Sequence, residues 1–168
     1  PSAESEDIDE VSDFRAVQQI FDRGLVVFRF EANKVVGTGH MYHCLQLAEG
    51  LDHHEIVFLL RNCDEFAVDL LRDRGWNFHV EVDLDSDLSK MPNCDKKVIV
   101  NDVLDTEVDE ILVERLHGFK IVNIEDLGPG AEFADAVINA LYSKGPTTSS
   151  VVTLLGAKYA TLRSEFLD

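Results

Sequence analysis

The segment Gly37-Thr38-Gly39-His40 combines residue types and spacing that suit chemistry. Two glycines let a backbone turn tightly and approach a ligand closely. A helix that follows them offers unpaired N–H groups and a partial positive charge at its start. His40 at that start would point towards anything bound over the preceding strand. With an ordinary pKa of about 6.5, histidine accepts a proton near neutral pH. A nearby helix N-terminus is expected to lower that pKa and keep the ring neutral, as a general base requires. The segment is neither a Walker loop, since no Gly-Lys-Ser/Thr follows, nor the full G-x-G-x-x-G fingerprint. An ordinary βα turn has the same glycine spacing, and a histidine there can simply cap the helix.

Carboxylates and amides at the ends of later apolar runs are the next candidates. Asn101, Asp102 and Asp105 follow Lys97–Val100, and Glu125 and Asp126 follow Phe119–Ile124. Carboxylates around His40 would orient it or hold a water. Glu125 and Asp126 are adjacent, so on an extended chain only one faces the site. Capping of the next helix by Asp105 or Thr106 is the structural alternative for the first group. Asp83-Leu84-Asp85-Ser86-Asp87 has calcium-loop spacing, but Leu88 and Cys94 stand where that loop needs Gly and Glu, so it reads as a solvated acidic loop. His53 and His54 lack a helical i, i+4 partner and read as a surface turn. His79 and His117 carry no special signal.

These residues are positioned by an alternating pattern. Leu25–Phe30 is a dense β-branched and aromatic run, expected to be a strand buried on both faces. A helix is expected from His40 to Gly50, a strand over Ile56–Leu60, a helix over Asp64–Arg74 and strand character over Trp76–Val82. Lys97–Val100 is a strand, a helix capped near Thr106 runs to His117, and Phe119–Ile124 is a strand. Ala134–Ala140 and Val151–Leu155 are short apolar runs read as the last strands. Ser12, with Phe14, Val17, Ile20 and Phe21 at helical spacing, opens a helix that Gly24 stops. Strand and helix in alternation imply right-handed crossovers and a parallel sheet, with ligands at the carboxyl ends of its strands. The expected fold class is therefore α/β, a Rossmann-like parallel sheet with helices on both faces.

Composition narrows the function classes. The chain has 168 residues, 45% of them hydrophobic, which is the size and content of one globular domain. Its 32 acids against 15 bases give a net charge of −17. That charge argues against a nucleic-acid surface and against an anionic membrane surface. No run is long enough to span a bilayer, so membrane insertion is not expected. Cys44, Cys63 and Cys94 lie far apart without a C-x-x-C, which fits neither a disulfide framework nor a zinc knuckle and points to a reducing cytoplasm. A phosphate ligand would have to rely on backbone N–H groups, helix dipoles or a second, basic domain.

Several segments together resemble a known family. Arg29-Phe30-Glu31-Ala32-Asn33, Gly37-Thr38-Gly39-His40, and Cys44-Leu45 with Leu47-Ala48 resemble the opening of UDP-diacetamido-trideoxy-altrose hydrolases of pseudaminic acid biosynthesis. That group also holds spore-coat polysaccharide proteins predicted to be glycosyltransferases. Val98–Asp102, Gly118–Asp126, Phe133–Asn139 and Gly156–Phe166 are similar to later segments of the family, in order, so the likeness spans residues 25–168. It implies the amino-terminal half of a GT-B-like, two-domain enzyme acting on a nucleotide-sugar, with UDP held mainly by a carboxyl-terminal nucleotide-binding half. It further implies metal-free and cofactor-free hydrolysis at the anomeric carbon, in which His40 positions or deprotonates the attacking water. Arg29, Glu31, Gly37, Gly39, His43, Asn101, Asp102 and Asp126 are the expected substrate contacts. His43 stands where the family has Arg, Asn101-Asp102-Val103 where it has Asp-His-Tyr, and Gly128-Pro129-Gly130 differs locally. Substrate identity and the choice between hydrolase and transferase stay open on these departures.

Asp7–Phe14 through Ile20-Phe21 resembles the closing segment of sugar-acid cytidylyltransferases. The resulting division is an acidic leader and helix over 1–23, the tail of such a domain, then a Rossmann-like domain over 24–156. Residues 157–168 start a linker to a carboxyl-terminal domain. The likeness implies a parent protein that makes an activated nonulosonic acid. A non-catalytic domain fused to a cytidylyltransferase is the third reading.

Overall fold

The computed structural model describes residues 23–51 and 53–159. The expected leader and its helix, up to residue 22, and the segment from residue 160 onward lie outside the described residues.

Seven parallel strands form one sheet: β1 (Leu25–Glu31), β2 (Glu55–Arg61), β3 (Phe78–Val80), β4 (Lys97–Asp102), β5 (Lys120–Ile124), β6 (Ala136–Asn139) and β7 (Val152–Leu155). Their spatial order is β3-β2-β1-β4-β5-β6-β7. The helices are α1 (Gly39–Glu49), α2 (Glu65–Asp73), α3 (Leu84–Ser89) and α4 (Val108–Leu116). The α/β, Rossmann-like expectation holds. The order reverses between β1 and β4, so their carboxyl ends splay the following loops apart and leave a crevice.

Alternation along each strand sorts side chains between two cores. Phe28, Phe30, Phe58 and Leu60 pack under α1 and α2, with Met41, Cys44, Leu45, Ala48, Ala67 and Leu71. Val27, Leu59, Ile99 and Ile121 pack on the other face, with Leu88 of α3 and Ile111 of α4. Helices thus cover both faces. The strand character read over Trp76–Val82 contracts to three residues, because Trp76 leaves the sheet to stack edge-on against Phe58. The acidic loop at 83–87 is corrected to a helix. Asp83 caps α3 by accepting from Ser86 N, and Asp87 is buried, accepting from Val82 N, Asp83 N and Lys90 Nζ.

The cap of α4 falls beside Thr106, as expected, though neither Asp105 nor Thr106 supplies it. Glu107, not Thr106, makes a reciprocal capping box with Glu110. Thr106 is buried, and its hydroxyl donates to Asp126 Oδ2 at 2.6 Å. The glycine at position 130 in Gly128-Pro129-Gly130 has a packing cause. A Cβ on Gly130 would stand 2.3 Å from Thr106 Oγ1, so only glycine lets the 3₁₀ turn Pro129–Phe133 pass the start of α4.

A polar cluster lies within the α4 face of the sheet. Arg29, 1% exposed, donates to both Glu81 oxygens at 2.6 and 2.7 Å and to Glu110 at 2.6 Å. Glu114 accepts from Asn101 Nδ2, and its other oxygen lies 3.7 Å from the guanidinium. Arg61 also donates to Glu110, at 2.9 Å, but Glu114 has only the 3.7 Å approach of Arg29, and burial pushes it up to about 7.

Two outcomes follow. Between the ordinary carboxyl value of 4.5 and about 7, the unfolded chain releases a proton that folded Glu114 keeps, so this group lowers stability as pH rises through that window. Glu114→Gln removes the effect, and in urea melts its stability relative to the native chain should increase between about pH 5 and about pH 8. Gly130→Ala should destabilise the fold by about 1–3 kcal/mol in the same measurement, through overpacking against Thr106.

Candidate active site

β1 ends at Glu31, and the chain returns through a tight loop in which Gly37 N donates to Asn33 O. Gly37 has φ +81°, which a side chain would resist, so the glycine permits the reversal that starts α1 beside β4. Gly39 is the first residue of α1, which places His40 in its first turn. Positions 40, 43 and 44 share one face of the helix at i, i+3 and i+4. That face meets Asp102, the last residue of β4, which is paired in register with Phe30 of β1.

Asp102 is the hub. It is 1% exposed; His40 Nδ1 donates to its Oδ1 at 2.5 Å and His43 Nδ1 to its Oδ2 at 2.8 Å. The Cys44 thiol also points at Oδ2, at 4.0 Å. Burial alone would raise the Asp102 pKa, but the two imidazole hydrogen bonds outweigh it and hold the carboxyl below its ordinary value. An ionised Asp102 fixes both rings as Nδ1–H tautomers and leaves each Nε2 to a ligand.

The His40 pKa is raised, first by the hydrogen bond to Asp102, against a lowering by burial, with Asp102, Glu31 and Glu125 adding negative potential. The expected lowering by the helix N-terminus is therefore corrected: a contacting carboxylate outweighs a helix dipole. The ring becomes a stronger base that is neutral only above a higher pH.

A cleft of about 360 Å³ opens over this hub. Its polar lining is His40, His43, Gln46, Asp102, Glu125 and Tyr159, and its apolar walls include Leu47, Ile124, Ile138 and Leu141. Among the described residues, no Lys or Arg lines it. Among the described residues, no group of three or more His, Cys, Asp or Glu is placed to hold a metal ion.

His40, Gly39, His43 and Asp102 thus come together in the cleft, and Glu31 stands close enough to act on His40 electrostatically while its carboxylate pairs with Arg61. Besides Glu31, four expected contacts are not among the lining residues: Gly37, which shapes the turn before α1, and three that lie elsewhere. Arg29 and Asn101 point to the α4 face, into the cluster with Glu110 and Glu114. Asp126 is buried and accepts from Thr106, Asn123 and Gly128, which makes it a brace for the β4 and β5 loops. Of the adjacent pair it is Glu125 that lines the cleft. Its φ is +53°, and its carboxylate accepts from Ala140 N and Leu141 N. Gln46 and Tyr159 also line the cleft without having been singled out. Gln46 carries a sequence signal, two turns of helix beyond Gly39 on the His43 side, whereas Tyr159 carries none.

No family model matches the chain, and no curated protein matches it at a significant level.

Asp102→Asn should lower the His40 titration midpoint, because the hydrogen bond and the contacting charge are lost, while burial still lowers it and only the more distant Glu31 and Glu125 still raise it. Histidine NMR titration checks this, and an unmoved midpoint would contradict the assignment of Asp102 as the cause.

Proposed function

We propose that this domain is the amino-terminal half of a UDP-sugar hydrolase of nonulosonic-acid biosynthesis, with His40 as the base. The observation that carries the proposal is the Asp102–His40 pair at the switch point, beside a cleft that His40 lines and that no Lys or Arg of the described residues lines. In the reaction, water gives a proton to His40 Nε2 and its oxygen bonds to the anomeric carbon. The bond from that carbon to the diphosphate oxygen breaks, and its electron pair leaves on UDP. Asp102 holds the ring in the required tautomer and stabilises the imidazolium as it forms.

The charge distribution supports a division of labour. A diphosphate is poorly served by a cleft bordered by Glu31, Asp102 and Glu125, whereas a sugar with neutral hydroxyls is not repelled. The diphosphate then belongs to a second, nucleotide-binding half. Exposed Val35, Leu104, Leu127 and Leu141 follow β1, β4, β5 and β6 and form an apolar rim at the strand ends that suits such a covering domain.

The test is release of UDP from UDP-sugars, without acceptor, by the full-length polypeptide that carries this domain. His40→Ala should reduce turnover by about 10²–10⁴-fold. Activity should fall towards acid pH with a midpoint above 6.5, where His40 protonates. UDP release that needs an added acceptor would make the protein a transferase. UDP release unaffected by His40→Ala would leave the domain a non-catalytic one.

A further inference from the structure

We propose that His43 sets the protonation of His40, by holding the second oxygen of Asp102 and dividing the carboxylate's charge between two imidazoles. The catalytic meaning of this proposal rests on the hydrolase reading above, but the proton coupling does not.

The geometry is specific. Each Asp102 oxygen takes one imidazole N–H, His40 at 2.5 Å and His43 at 2.8 Å, and both rings border the same cleft. Asp102 is 1% exposed, so solvent does little to share its charge. Without His43, that buried charge would fall mainly on His40 and hold its proton more firmly. With His43, one oxygen is already bonded, and a proton on either ring opposes a proton on the other. Both effects act in the same direction and keep His40 neutral to lower pH, where a base is useful.

The groups around His40 bound the effect. From α1 come His43 and the Cys44 thiol, which sits against Asp102. Asp102 comes from β4, Glu31 from the end of β1 and Glu125 from the loop after β5. Tyr159 lines the same cleft. Glu31 and Glu125 are anionic and raise the His40 midpoint; His43 at 2.8 Å, and the Cys44 thiol more weakly at 4.0 Å, draw on Asp102 Oδ2 and act the other way.

The experiment is NMR titration of the His40 ring in the native chain, His43→Leu and His43→Asn. Leu removes the donor; Asn keeps an amide N–H near the position of Nδ1–H but cannot titrate. His43→Leu should raise the His40 midpoint by about one pH unit, a tenfold change in proton affinity. His43→Asn should return most of that shift. In the native chain the His40 ring signal should show two inflections, because the carboxylate it shares with His43 couples the two rings. That reading needs no variant and decides the matter if His43→Leu fails to fold. An unchanged or lowered His40 midpoint in His43→Leu, or a single-step His40 curve in the native chain, overturns the proposal. In the UDP-release assay, His43→Leu should move the acid limb upward by the same step and His43→Asn should restore it. A shifted titration with no hydrolysis in any form would retire the hydrolase reading and leave the coupling standing.

Discussion

A buried carboxylate without a cationic side chain beside it must be neutralised by hydrogen bonds, protonated, or excluded from the fold. Asp102 meets this constraint by taking donors from one face of α1, and the rest of the site depends on that contact. It locks the helix that follows β1 to the strand that lies beside β1, across the point where the sheet order reverses. It also fixes the tautomer of two histidines that line the same crevice. The glycine turn at Gly37 matters chiefly because it starts the helix where this contact can form.

The two faces of the sheet handle burial of charge differently. On the α4 face, buried Arg29 is surrounded by half-buried Glu81 and Glu110 and fully buried Glu114, with amides of Asn101 and Asn123 completing the network. That cluster braces the sheet, and it leaves Glu114 as a proton-holding carboxyl. On the α1 face, the polar groups are fewer and border a cleft. Strand alternation makes the difference, since Asn101 and Asp102 are consecutive and necessarily point to opposite faces. One became part of a buried network and the other the centre of a site.

Each misplacement of a residue read from sequence has a physical reason. Arg29 follows the apolar run of β1 and sits near the strand end, where ligands bind, but an odd–even count puts it on the face away from α1. Asp126 rather than Glu125 was expected in the cleft, because the positive φ at Glu125 that turns its carboxylate towards β6 leaves no mark in composition. Thr106 had the chemistry of a cap, yet Asp126 competes for its hydroxyl and Glu107 has the better geometry. The helix at 84–89 was hidden by its acidity, which its own Asp83 cap and the burial of Asp87 accommodate.

By itself the sequence determined the architecture and the place of the site. Apolar runs alternating with amphipathic ones compel a parallel α/β sheet, and in such a sheet a glycine turn followed by a histidine lies at the carboxyl ends of strands. Those are local or periodic properties, written in consecutive residues. Tertiary structure alone decided which carboxylate meets His40, that His43 shares it, and that the His40 pKa moves up instead of down. Those outcomes depend on the register of β1 against β4 and on the crossing of α1 over both, which bring together residues 59 and 62 positions apart. The Gly37 to His40 segment is legible as a turn before a base; the buried charge that governs that base comes from the far side of the sheet's reversal.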